Sequence, residues 1–135
     1  MKIRVMSSKN EIHELNPSEQ IIHMAFRPSN IDLLELIRKC PRLRAIQMPR
    51  SHMKTMADST QKFLNMHGID LLEGDVWNHR KALDEYVVIE DETLNRIKAL
   101  INEGVGLNAI RTKVRTAARL NPDLIKYIQK TASST

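Results

Sequence analysis

Arg111, Lys113, Arg115 and Arg119 place four cations within nine residues, and Lys126, Tyr127 and Lys130 follow on the next candidate element. Guanidinium and ammonium groups at this density suit pairing with the phosphates of an anionic polymer. Arg111, Arg115 and Arg119 stand four residues apart, so on a helix they would line one flank, extended by Asn108 and Thr112. Like charges at that spacing repel one another, and a polyphosphate partner would relieve the repulsion. A solvated arginine flank is the plain alternative.

A second group of polar residues falls at the ends of candidate strands: Arg27 and Ser29, Arg50 and Ser51, and Asp75, His79 and Arg80. In open α/β sheets, ligands bind outside the carboxyl ends of the strands. Helices starting at Ser29 and Ser51 would add backbone N–H donors suited to an anion. A small anionic effector is the ligand this set would take. The alternative is structural: serines capping helices, and arginines paired with Asp75 and its neighbours.

Charge is unevenly placed along the 135 residues. Residues 1–104 carry fifteen Lys/Arg and fifteen Asp/Glu, whereas residues 105–135 carry six Lys/Arg against Asp123 alone, so the formal charge of +5 belongs to the last quarter. The apolar fraction of 41% suffices for a core. No apolar run approaches the ~20 residues that span a bilayer, and the N-terminus lacks the apolar segment of a secretory signal. The single Cys40 permits no internal disulfide, which makes a reducing cytoplasm the simplest compartment. Two Phe, two Tyr and one Trp are too few for a stacking platform that binds single strands.

Enzyme motifs are absent. There is no G-x-G-x-x-G, no G-x-x-x-x-G-K-[ST], no H-E-x-x-H and no G-x-S-x-G. The five histidines are scattered, and His23 lies inside an apolar run, where a hydrogen-bonded core histidine is the simplest reading. Cys40 ends a candidate helix, where the dipole disfavours thiolate. Glu73 and Asp75, two apart at a strand end, could act with His79 in an enzyme, but no motif requires it. No cofactor and no metal are expected.

The positioning elements follow from periodicity. Lys2–Met6, Gln20–Phe26, Leu43–Met48 and Ile69–Leu72 read as strands, with Gln20–Phe26 covered on both faces. Between them lie a short helical turn at Glu11–Leu15, a helix after Asn30 ending before Pro41, and a single helix from Ser51 to about Met66 stopped by Gly68. Met66 is read as an inward residue of that helix. Successive strand–helix steps imply parallel pairing. The fold class is therefore α/β: a small parallel sheet with helical crossovers, followed by a C-terminal three-helix, helix-turn-helix-like module. A leucine-rich-repeat-like stack is a lesser option, suggested by an Arg/Pro/Ser echo some twenty-two residues apart.

Asn78–Asp84 reads as a helical turn and Tyr86–Ile89 as an edge strand. The acidic break Glu90–Glu92 divides an α/β domain, residues 1–89, from a basic helical module, residues 90–135. The α/β domain would supply an effector or dimer surface. The module would hold a helix at Thr93–Glu103, a helix from Leu107 extending to Arg119 if the turn is to be short, and a last helix opened by Asn121, Pro122 and Asp123. On that last helix Leu124, Ile125 and Ile128 form the apolar side, and Asp123, Lys126, Tyr127 and Lys130 the opposite side.

AFRPSN at 25–30, LLEGDVWNHRK at 71–81 and the three-helix tail together resemble a small family of archaeal proteins from methanogens. Most of its members are classed as a domain of unknown function, and the resemblance extends to a regulator of methanogenesis. The resemblance implies DNA-binding transcriptional control. The expected partners are double-stranded DNA and a second copy of the chain, with a small anionic effector as a further candidate and no membrane. A non-catalytic ligand-binding or interaction domain, with its basic helices in oligomerisation or docking, is the alternative.

Overall fold

The computed structural model describes residues 1–74, 86–114 and 122–133. Five strands, β1 (Lys2–Met6), β2 (Ile21–Met24), β3 (Ala45–Met48), β4 (Asp70–Glu73) and β5 (Tyr86–Val88), form one sheet in the order β4-β3-β2-β1-β5. The first four are parallel and β5 runs antiparallel on β1. This is the parallel sheet with helical crossovers that the strand–helix succession predicts.

The crossovers are a 3₁₀ helix at Lys9–Glu14, α1 (Asn30–Lys39), and the pair α2 (Arg50–Lys54) and α3 (Asp58–Met66). Strand alternation sorts the core into two layers. Met6, Ile22, Met24, Ile46 and Met48 face Leu33, Leu36 and Leu64 of the crossover helices. Ile3, Ile21, Ala45 and Leu72 face the other way, against the C-terminal helices α4 (Asp91–Asn102), α5 (Leu107–Lys113) and α6 (Pro122–Ser133). A sheet covered on both faces explains why the strands read as apolar runs. It also separates this fold from a repeat stack, because the second face is closed by helices of different sequence.

Consecutive strand order with every crossover on one face is what crossovers of one hand produce. The four parallel strands therefore never reverse their winding, so they contain no switch-point crevice of the kind that holds ligands in doubly wound sheets.

Two local departures from the sequence reading have physical causes. The single helix expected from Ser51 to Met66 is broken. Thr55 Oγ1 donates back to the carbonyls of Ser51 and His52, at 3.3 and 3.1 Å, and Ala57 is extended, with φ −65° and ψ 146°. A hydroxyl competing for backbone acceptors favours such an interruption. The break turns Met66 outward, where it is 85% exposed. Gly68 and Gly104 take φ of 72° and 80°, the left-handed conformation that ends α3 and α4 at little cost for glycine alone.

Candidate nucleic-acid interface

The last helix is docked on the sheet as well as on its neighbouring helices. Asp123 accepts a hydrogen bond from the Glu73 N–H at 2.8 Å, and the Lys130 ammonium meets the Asp70 carboxylate at 2.8 Å. Seven helical residues rise about 10.5 Å and three strand residues about 10 Å. The two contacts thus match in length only if α6 runs antiparallel along β4, the open edge of the sheet. Asp123 also sits in the first turn, where it favours the helix N-terminus. The Asp70 hydrogen bond and charge raise the Lys130 ammonium pKa above its ordinary value.

This docking fixes the faces of α6. Leu124, Ile125, Tyr127 and Ile128 are buried, while Lys126, Gln129 and Lys130 are exposed. Tyr127 is a correction to the sequence reading, which set it beside Lys126 and Lys130 on the outer face. It is 7% exposed and belongs to the core between the sheet and the C-terminal helices. Burial pushes its hydroxyl pKa upward, with Arg44 and Lys130 pulling the other way and Asp70 adding to the rise. An aromatic ring with a polar tip suits this border position. It leaves Lys126 and Lys130 as the cations of the last helix facing solvent.

On α5, Lys113 is exposed and Arg111 half-buried. The Lys113 carbonyl accepts from Arg96 at 3.4 Å, tying α4 to the end of α5. The helix stops there: Val114 is extended, with φ −106° and ψ 109°, and its side chain is 4% exposed in the core. A β-branched residue drawn inward ends the turn, so the four-residue line starting at Arg111 is not continued by α5. Arg115, Arg119 and Asn121 lie outside the described residues. The described part of α5 ends at Lys113 and α6 begins at Pro122.

The strand-end group divides. Arg27 and Ser29 line a cleft of about 430 Å³ together with His52, Thr55 and Met56. Ser29 Oγ accepts from the Asp32 N–H at 3.1 Å and Asp32 accepts from the Ser29 N–H at 2.9 Å, a reciprocal cap on α1. Arg50 turns away to Glu73 at 3.6 Å, and Ser51 is exposed outside the cleft. Asp75, His79 and Arg80, like the expected turn at Asn78–Asp84, lie outside the described residues. His52, which follows Arg50 and Ser51 at the same strand end, lines this cleft and has an enclosed Nδ1 that makes no hydrogen bond among the described residues.

Other candidate chemical groups have structural partners. His23 Nδ1 lies 3.0 Å from Gln47 Oε1, both residues buried. The Cys40 thiol donates to the Asn16 carbonyl at 3.5 Å, and burial, helped by the charge of Glu19, pushes its pKa up to about 11. At neutral pH it is thus a thiol, a poor nucleophile. Among the described residues, no helix is long and apolar enough to cross a membrane.

Residues 2–85 match the N-terminal domain of a family of unknown function, DUF1699, and residues 92–130 match the C-terminal HTH domain of a protein of unknown function in the same family. The second match covers α4, α5 and most of α6. No curated protein and no solved structure matches the chain. On the extent of these matches, the chain belongs to the DUF1699 family, with a helix-turn-helix class module as its C-terminal part.

Proposed function

We propose that this protein is a DNA-binding transcriptional regulator. The observation that carries the reading is α6: within a region matching an HTH domain, it exposes Lys126, with Lys130 beside it exposed though paired to Asp70, on a helix fixed by its buried side. Arg111, Lys113, Arg115 and Arg119 are assigned to phosphates, and Lys126 and Lys130 to positions nearer the groove. A single module has limited contact area, so a homodimer presenting two copies is the working form. The resemblance of AFRPSN and LLEGDVWNHRK to methanogen proteins that include a regulator supports the same role, in the cytoplasm of such a cell.

Fluorescence anisotropy with labelled duplex DNA between 50 and 200 mM salt tests this. The expected result is affinity falling steeply with salt. Replacing Arg111, Lys113, Arg115 and Arg119 by Ala should reduce the slope of log K against log salt by about 0.9 for each phosphate no longer neutralised. Absent duplex affinity, or a slope untouched by the four substitutions, would defeat the reading.

The cleft beside α2 supports a second element of the proposal, a small anionic effector held by Arg27, Ser29 and His52. The enclosed, unbonded imidazole nitrogen favours it, since such a group gains by meeting a ligand. Titration with inorganic phosphate, followed by NMR at the imidazole of His52, should give a saturable shift that Arg27→Gln weakens. A spectrum unchanged at millimolar phosphate would remove phosphate-bearing ligands from consideration.

A further inference from the structure

We infer that Arg42 and Arg44, from the charge-balanced α/β domain, form a second phosphate-contacting flank beside α6. The inference rests on the DNA reading above and extends its surface across the two family domains.

The placement comes from the antiparallel docking of α6 on β4. It brings the C-terminal end of α6 to the edge of the sheet where β3 and β4 begin. There a cleft of about 620 Å³ is lined by Arg42, Arg44 and His67 on one side and Tyr127, Lys130 and Thr131 on the other. A second cleft of about 330 Å³ shares Arg44, Tyr127 and Thr131 and continues to Lys2. Arg44 stands between the two, so the cations run from the C-terminal end of α6 across the starts of the strands rather than round a closed chamber. The acid in the larger cleft, Asp70, is already engaged by Lys130.

The two arginines are held for contact with a partner outside the chain. Both are exposed, and neither pairs with a carboxylate among the described residues. Their backbone is fixed. Leu43 between them is 6% exposed, the Arg44 N–H donates to the Gln20 carbonyl at 2.8 Å, and the Arg44 carbonyl accepts from the Asp70 N–H at 2.8 Å. The fixed backbone removes the main-chain share of the ordering cost, and each guanidinium offers the planar fork that suits a phosphate. A strip of this kind, leaving the C-terminal end of a helix assigned to the groove, fits the phosphodiester backbone bordering that groove.

The test compares Arg42→Gln/Arg44→Gln with a charge-matched control, Arg38→Gln/Lys62→Gln, whose exposed side chains lie on the opposite helical layer. Duplex affinity is measured from 50 to 200 mM salt, with thermal melting as the folding control. The first variant should lower affinity and reduce the salt slope by about 1.8, at about 0.9 for each of two contacts, with its melting temperature unchanged. The control should keep a slope close to that of the wild type. If the wild type binds duplex DNA and the first variant keeps its slope, or the control loses as much, the flank is refuted while the DNA reading stands. If the wild type does not bind, both fall together.

Discussion

Ile128→Ala is expected to lower the unfolding free energy by about 2–5 kcal/mol, the range for truncating a buried Ile or Leu, and to do so for the sheet and the tail helices together. Ile128 is fully enclosed and packs in one cluster with Ile3, Ile21 and Ala45 of the strands and Ile97 and Ile110 of the neighbouring helices. A cavity there weakens the packing of both layers at once. Urea unfolding followed by circular dichroism, and by amide signals of β1 to β3, should show one transition moved to lower denaturant. If those strand signals kept their wild-type midpoint while helix signals were lost early, the shared core would not be the unit that unfolds. The point bears on function. A helix anchored to the sheet by a common core, and by Asp123 and Lys130 at its two ends, cannot turn freely, so the orientation of its exposed lysines is set by the α/β domain.

The strands, their parallel pairing and three helices near the end were legible from periodicity, because both signals are local. KIRVM and QIIHMAF announce strands through β-branched and apolar density, and helical crossovers between them force parallel pairing. What the sequence could not show was which surface the C-terminal helices cover. The apolar stripe of 124, 125 and 128 was visible, but Tyr127 is amphipathic and fits either side of that stripe. Contact with the sheet widens the buried arc to include it. The break at Thr55–Ala57 was hidden for a related reason: Met53, Met56, Phe63 and Leu64 keep a helical spacing on both sides of it, and the interruption depends on a single hydroxyl.

The candidate interface shows the same limit. A count of charge along the chain points to residues 105–135, since acids and bases cancel before them. Cancellation in sequence is not cancellation in space. Arg42 and Arg44 precede β3, and nothing nearby in the chain marks them as neighbours of Lys130. That follows from α6 running along β4, which is set by the Asp123 and Lys130 contacts fifty and sixty residues away in the chain. Arg50 shares a strand end with Ser51, and its side chain meets Glu73, two residues from Asp75, in keeping with the structural alternative the sequence offered for it.

Arg4→Met is expected to cost about 1–3 kcal/mol, the range for removing one partner from a partly buried polar cluster. In KIRVM, Arg4 has the look of an outward residue, yet it is 4% exposed. Strand register puts it between Ile22 and Tyr86. Its guanidinium lies 5.5 Å from the centre of the Tyr86 ring and 3.9 Å from the Glu11 carboxylate, and the Tyr86 hydroxyl donates to Glu19 at 2.7 Å. Glu19 is itself 9% exposed, and Glu11 also accepts the Ser7 and Ser8 N–H groups at 2.6 and 2.8 Å. Methionine would fill much of the space but leave the Glu11 carboxylate without its nearby cation. Lysine would restore charge without the flat face that stacks on the ring, so Arg4→Lys should fall between. Tyr86→Phe should cost about 1–3 kcal/mol by leaving Glu19 without its donor. The Tyr86 hydroxyl pKa is raised above its ordinary 10.0, by burial first and the Glu19 hydrogen bond second, so this contribution holds through neutral pH and is lost as pH rises through that raised value. Because the groups form one chain of contacts, the double variant Arg4→Met/Tyr86→Phe should lose less than the sum of the two single losses. Strict additivity in urea unfolding, or a near-neutral Arg4→Met, would show that Arg4 is held by its aliphatic stem alone and that the strand tolerates it as packing rather than as charge.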